Sequence, residues 1–203
     1  MKLVKDSITD QVYHIIKEKI LLTELHLGDQ INPRELAEEF RVSIMPVRDA
    51  LRKLVNEGLV VNKSRVGFFV RSFTQEEITD IMEMRMLYEL YSLDTYFMNI
   101  PKDKLLIYLD LCNKKGQLSR QEFDELDNNI HDLLINASQN RCLEKSYHEV
   151  KNQIIIFRHM DKNQIEVAHQ EHVSLLQSII NRDKPNALKI LRQHIKRVAD
   201  AIV

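Results

Sequence analysis

The chain has 203 residues, 44% of them hydrophobic and 29% charged, with a formal net charge of −1. That is enough apolar material for one or two buried cores, and it excludes a globally disordered chain. The near-neutral total neither demands nor forbids a polyanionic partner, although residues 1–75 carry a slight excess of Lys and Arg and the remainder a slight excess of Asp and Glu.

Only four glycines and four prolines punctuate the sequence, so few turns are expected and helices should dominate. Cys112 and Cys142 stand alone with no CxxC spacing, which fits reduced thiols. The opening MKLVKDSITDQ lacks the apolar stretch of a signal peptide, and no run approaches the roughly 20 apolar residues of a membrane span. A cytoplasmic protein with no membrane partner is the expectation.

The first helix is expected from about Ser7 to Leu22, with Ile8, Val12, Ile15, Ile16, Lys19 and Ile20 at helical spacing. LGDQ reads as a turn. Asn32 and Glu35 have capping-box spacing, and Pro33 suits the first position of a short second helix ending near Phe40. Ser43 can cap a third helix with Pro46 in its first turn, an inward stripe of Val47, Leu51, Leu54 and Val55, and Gly58 at its C-cap. LVVN and GFFVR then read as two strands around the polar loop 63–66. Helix, helix, turn, helix, hairpin is the order of a winged helix-turn-helix.

Thr74 and Glu77 open a long helix to about Met98. Breaks follow at Pro101, at Gly116 with the Ser119/Glu122 capping box, at Ser138–Asn140, at Asp161 and at Pro185. The expected fold is mainly α: a winged helix-turn-helix over residues 1–73 and an all-helical bundle of about six helices over residues 74–203.

A helix that reads DNA needs a basic, exposed N-terminal face, because base edges lie deep in the major groove between flanking phosphates. Ser43, Ile44, Met45, Arg48, Arg52 and Lys53 fall on the outward side of the third helix. Arg34 opens the preceding helix, within reach of a phosphate, and Lys63 and Arg65 tip the hairpin as a wing would. Each arginine alone reads as an ordinary solvated charge; together, these cations on this element order favour double-stranded DNA.

The stretch from Leu25 to Val70 resembles the winged-helix domain of the GntR family. The pieces stand in order: Gly28, Glu35-Leu36-Ala37-Glu38, Val42-Ser43, Pro46-Val47-Arg48, Ala50-Leu51, Leu54, Glu57-Gly58-Leu59-Val60 and Gly67-Phe68-Phe69-Val70. The resemblance implies that Arg34, Ser43 and Arg48 touch DNA and that Gly67 lets the wing approach the minor groove. One position departs from the pattern: the residue after Ser43 is usually Arg in the family and is Ile44 here. Isoleucine can meet a thymine methyl but cannot donate to guanine, so the family's usual operator sequence does not carry over.

In the helical half, one carboxylate and three imidazoles fall on apolar stripes. Asp127 and His131 lie four apart beside Leu126, Ile130 and Leu134; His172 sits within Ala168, Leu175 and Ile179; His194 sits within Ala187, Leu191 and Val198. Burying an unpaired polar group costs about 1–3 kcal/mol, and convergence on one metal ion would satisfy all four. The alternative is core histidines bonded to backbone carbonyls, with His169 a competing member of the same face. Arg85 lies on the stripe of Ile78, Ile81, Met82 and Tyr88; it suits either an organic carboxylate or an ion pair with Glu89 one turn on. Asn140 is a further effector contact or a helix cap.

This half resembles the metal-binding helical effector domain of the FadR-type branch of that family, the FCD domain. The matching residues are Asp127 and His131, Glu171-His172, His194, and the segment HDLLINASQN. The resemblance implies a divalent transition metal, zinc or nickel, on Asp127, His131, His172 and His194. It also implies a small-molecule effector and, by the commoner behaviour, a repressor rather than an enzyme; a homodimer is expected from the symmetry of DNA half-sites. The alternatives are a regulator that senses the metal itself, a zinc-dependent hydrolase using the same cluster, and a metal that is purely structural.

Overall fold

Ser7 starts the first helix by accepting a hydrogen bond from the Asp10 amide, and α1 (Ile8–Leu21) follows. The computed structural model describes residues 7–114, 118–160 and 165–202. Helix α1 buries Val12, Ile16 and Ile20 at strict i, i+4 spacing, while Ile8 and Ile15, expected on the same stripe, are exposed. After β1 (Gln30–Ile31) come α2 (Pro33–Glu39), α3 (Ile44–Asn56), β2 (Val60–Lys63) and β3 (Gly67–Val70).

The three strands form an antiparallel sheet in the order β1-β3-β2. Strand β1 begins at Gln30, the last residue of the expected LGDQ turn; two residues show no alternation, and pairing of Gln30 with Phe69 and Ile31 with Phe68 is what makes them a strand. Helices α1 and α2 pack on α3, whose Val47, Ala50, Leu51 and Leu54 are buried. Val55, expected among them, is half-buried.

Six α-helices follow residue 74 among the described residues: α4 (Gln75–Thr95), α5 (Lys102–Asn113), α6 (Arg120–Asn136), α7 (Arg141–Met160), α8 (Ile165–Ile180) and α9 (Lys184–Ile202), with a 3-10 turn at Phe97–Asn99. Helix α4 ends before the expected Met98, where that turn takes over. The Ser119/Glu122 capping box is complete, each side chain bonding the other's backbone N–H. The expected breaks at Gly116 and Asp161 lie outside the described residues. Pro185 sits one residue inside α9 rather than before it, in the first turn, where its missing N–H costs nothing.

Contacts divide the chain into one unit of Met1–Gln75 with Ile155–Met160 and another of Glu76–Ile154 with Asp161–Val203. In the second unit, α8 packs on α5 and α9, and α5 also meets α6. Its core includes Leu126, Ile130, Leu134, Leu175, Leu176, Leu191 and Ile195. No helix among the described residues is long and apolar enough to cross a membrane.

Candidate DNA-reading surface and metal centre

On the first unit, Ser43 occupies the N-cap of α3 but makes no side-chain cap bond, and its side chain is exposed. Met45 is 55% exposed, Ile44 is half-buried, and Arg34, Arg48 and Arg52 all face solvent. A cleft of about 650 Å³ runs between α3 and the β2–β3 hairpin; Arg48, Arg52, Lys63 and Arg65 line it, with Asn62 and Gly67. Arg52 is partly engaged, donating to Asp49 at 2.9 Å, and the Lys63 ammonium lies 4.4 Å from the Phe69 ring centre. Gly67 has φ +132°, a conformation that side chains rarely adopt, so the turn into β3 needs glycine. The four lining cations share one concave face, so a polyanion could meet them together.

On the second unit, α6 supplies Asp127 and His131, α8 supplies His172, and α9 supplies His194. One ligand atom from each lies within 4.8 Å of the others, and all four residues are buried. The imidazole centres are 5.4 Å apart for His131 and His172, 5.2 Å for His131 and His194, and 4.8 Å for His172 and His194. Asp127 Oδ1 lies 3.5 Å from His172 Nε2, and Oδ2 lies 3.9 Å from His131 Nε2. His169 is buried outside this cluster, stacked on Phe123 at 5.9 Å.

A second layer surrounds the four. Glu89 Oε2 lies 2.7 Å from His131 Nδ1, while its Oε1 accepts from Arg85 Nε at 2.9 Å and from the Tyr147 hydroxyl at 3.0 Å. Arg85 Nη2 lies 3.0 Å from His131 Nε2. Glu171 Oε2 lies 2.7 Å from His194 Nδ1, and Arg197 donates to the same carboxylate through Nε and Nη2. Of the two sequence readings of Arg85, the ion pair with Glu89 is the one seen. Tyr147 and Arg197 were not singled out in the sequence, since nothing local shows that α7 and α9 bring them behind the histidines.

Electrostatics follow this arrangement. Burial alone would raise the Glu89 carboxyl, but Arg85 and His131 overcome it and hold the group well below the usual carboxylate range. Burial pulls the His194 imidazole down to about 4, against the opposing bond to Glu171, so the ring is neutral at pH 7 and Nε2 carries either a lone pair or the single proton. Burial, with the Asp127 charge second, pushes the Cys112 thiol up to about 11.

Of the two sequence readings of Asn140, the helix cap is the one seen. The residue is exposed, and its Oδ1 accepts from the Cys142 and Leu143 amides at 3.1 and 3.2 Å, capping α7. Its side-chain carbonyl serves the orphan amides of a helix start.

A basic recognition helix and wing on one unit, with a buried donor cluster on the other, are the parts of a DNA-binding regulator. The profile of the gntR family of bacterial regulatory proteins matches residues 8–70, and that of the FCD domain matches residues 80–197. The chain belongs to the gntR family, with an FCD domain as its helical half, and is a transcription regulator and not an enzyme. It is 26% identical over 179 residues to the Nta operon transcriptional regulator of Aminobacter aminovorans, covering 87% of this chain and 85% of that protein. It is 20% identical over 202 residues to the transcriptional repressor RspR of Escherichia coli K12, covering 96% and 89%. A GntR regulator from Rhodococcus sp. RHA1 shares the fold, with TM-score 0.79, 18% identity and coverage of 97% and 98%. The Zn²⁺-bound FCD domain of TM0439 aligns with TM-score 0.60 and 28% identity, over 64% of this chain and 95% of that one.

Proposed function

We propose that the chain is a ligand-responsive repressor. It binds double-stranded operator DNA as a cytoplasmic homodimer through residues 1–73. Residues 74–203 hold a divalent transition metal and a small organic carboxylate. The observation that carries this reading is the convergence of Asp127, His131, His172 and His194, from three helices, in a buried space no wider than 4.8 Å between ligand atoms. Three imidazoles and one carboxylate suit zinc or nickel, and ligand bonds of about 2.0–2.2 Å need only small side-chain movements from this spacing. Zinc bound to the TM0439 domain supports the same choice.

Arg85 is the group proposed for the effector. Its Nη1 is buried with no hydrogen-bond partner among the described residues. A cation on His131 Nε2 takes the lone pair that Nη2 now faces, which leaves two parallel N–H donors for a carboxylate. Arg34, Ser43, Ile44, Met45, Arg48, Arg52, Lys63, Arg65 and Gly67 form the DNA-reading set.

The test has two arms. Elemental analysis of tag-free protein purified without chelator should give near one equivalent of metal, and a His172→Ala/His194→Ala variant should lose it while staying folded. Mobility shifts on DNA from the regulator's own upstream region should then respond to metal-chelating carboxylates. A parent that takes up no zinc, nickel or manganese refutes the metal centre. DNA binding that responds to metal but to no carboxylate makes the metal itself the signal.

A further inference from the structure

A neutral imidazole carries one proton, and whichever nitrogen holds it leaves the other as the lone pair that can bind a metal. The tautomer is set by what each nitrogen faces. At His131 and at His194 the Nδ1 atom faces a carboxylate oxygen at 2.7 Å, from Glu89 and Glu171 respectively. An ionised carboxylate only accepts, so both Nδ1 atoms carry a proton; in the neutral form of each ring, the form that ligates a metal, Nε2 then presents the lone pair. Those Nε2 atoms point into the cluster: His131 Nε2 lies 3.9 Å from Asp127, and His194 Nε2 is buried with no hydrogen-bond partner among the described residues.

Each carboxylate is held from behind by a guanidinium. Arg85 and the Tyr147 hydroxyl fix Glu89, and Arg197 fixes Glu171 through Nε and Nη2. The two arms differ in one respect. Glu89 and Arg85 are sealed, at 0% exposure, whereas Glu171 and Arg197 keep 21% and 18% of their side-chain surface in solvent.

We propose that Glu89 and Glu171 are positioning residues of the centre: each locks its histidine in the Nδ1–H tautomer and aims Nε2 at a common ion. This rests on the metal reading given above. Partners of this kind commonly change metal affinity by about 10- to 100-fold when removed, because they set ring orientation and ligand basicity. Glu171 is the arm to test, since its partial exposure lets it be changed without stranding a sealed charge.

In Glu171→Gln the side-chain amide can donate to Nδ1, which frees His194 to place its proton on Nε2, facing the cluster. Histidine-¹⁵N NMR on the zinc-stripped full chain reads the tautomer directly. Chelator competition reads zinc affinity, and the cobalt(II) visible spectrum reads coordination geometry. The parent should show Nδ1–H at His131 and His194. E171Q should move His194 toward Nε2–H, weaken zinc about 10- to 100-fold and shift the cobalt bands, while the stripped protein still folds and unfolds cooperatively. Glu171→Asp should restore the Nδ1–H tautomer and part of the affinity, and Glu125→Gln, an equal charge change on exposed α6 surface, should do nothing. An Nε2–H tautomer at His194 in the parent overturns the proposal. So does zinc binding by E171Q at parental strength. A parent that binds no zinc refutes the metal reading itself and takes the positioning role with it.

Discussion

Removing one partner of the Arg85–Glu89 pair should cost far more than its hydrogen bonds alone suggest. Both side chains are fully buried, and the pair is joined at 2.9 Å. Glu89→Leu leaves a guanidinium in the core without its bonded counter-charge and deprives Tyr147 and His131 of their acceptor. Breaking a buried pair in this way costs about 3–5 kcal/mol, a large part of the roughly 5–15 kcal/mol that holds a typical domain. Arg85→Met should fall at the lower end of that range, because Tyr147 and His131 still donate to the carboxylate. The double variant Arg85→Met/Glu89→Leu removes both charges, so it should be less destabilised than the two singles added together, by about 2–3 kcal/mol. Urea unfolding of zinc-stripped protein, followed by far-ultraviolet circular dichroism at fixed pH, measures all four corners of the cycle. Single costs that add to the double within about 0.5 kcal/mol would refute the reasoning, since independent sites behave that way.

Acid should destabilise the stripped protein through His194. Its folded value of about 4 lies below the ordinary 6.5, so its contribution is present above pH 6.5 and is lost as the pH falls toward 4. The amount is on the order of 3 kcal/mol, and the lowered Glu171 carboxyl acts in the same direction at lower pH. A stability–pH curve of His194→Gln should be flatter over that window; a parallel curve would count against the assignment. Arg48→Ala should cost about 1–3 kcal/mol in operator binding and relax preference at one base pair, read by competition between operator variants. Gly67→Ala should cost about 1–3 kcal/mol through backbone strain alone, because the nearest atom to an added Cβ, Gln30 Nε2, stands at an ordinary 3.5 Å. Thermal unfolding reads that cost, and a shift no larger than that of an exposed Ala substitution would show that the wing relaxes.

The winged helix was legible because its signals are local. Asn32, Pro33, Ser43 and Gly58 mark helix ends by their own backbone chemistry, and Val47, Leu51 and Leu54 mark a buried face by spacing alone. The same spacing picked out Asp127, His131, His172 and His194 as polar residues on inward stripes, and all four are buried. Strand β1 was not legible, since two residues become a strand only by pairing with β3. Ile15 and Val55 were misplaced because a stripe's edge depends on which neighbour covers it.

Periodicity within one helix tells which residues turn inward, because the α-helix repeats every 3.6 residues regardless of its partners. It carries no information about which inward residues of different helices meet. Packing of α8 on α5 and α9, and of α5 on α6, brings three imidazoles and a carboxylate together. The same packing set Glu89, Tyr147 and Glu171 behind the histidines and resolved Arg85 as half of an ion pair. Convergence of this kind is a property of helix–helix contacts between residues far apart in the sequence, and only the tertiary structure decides it.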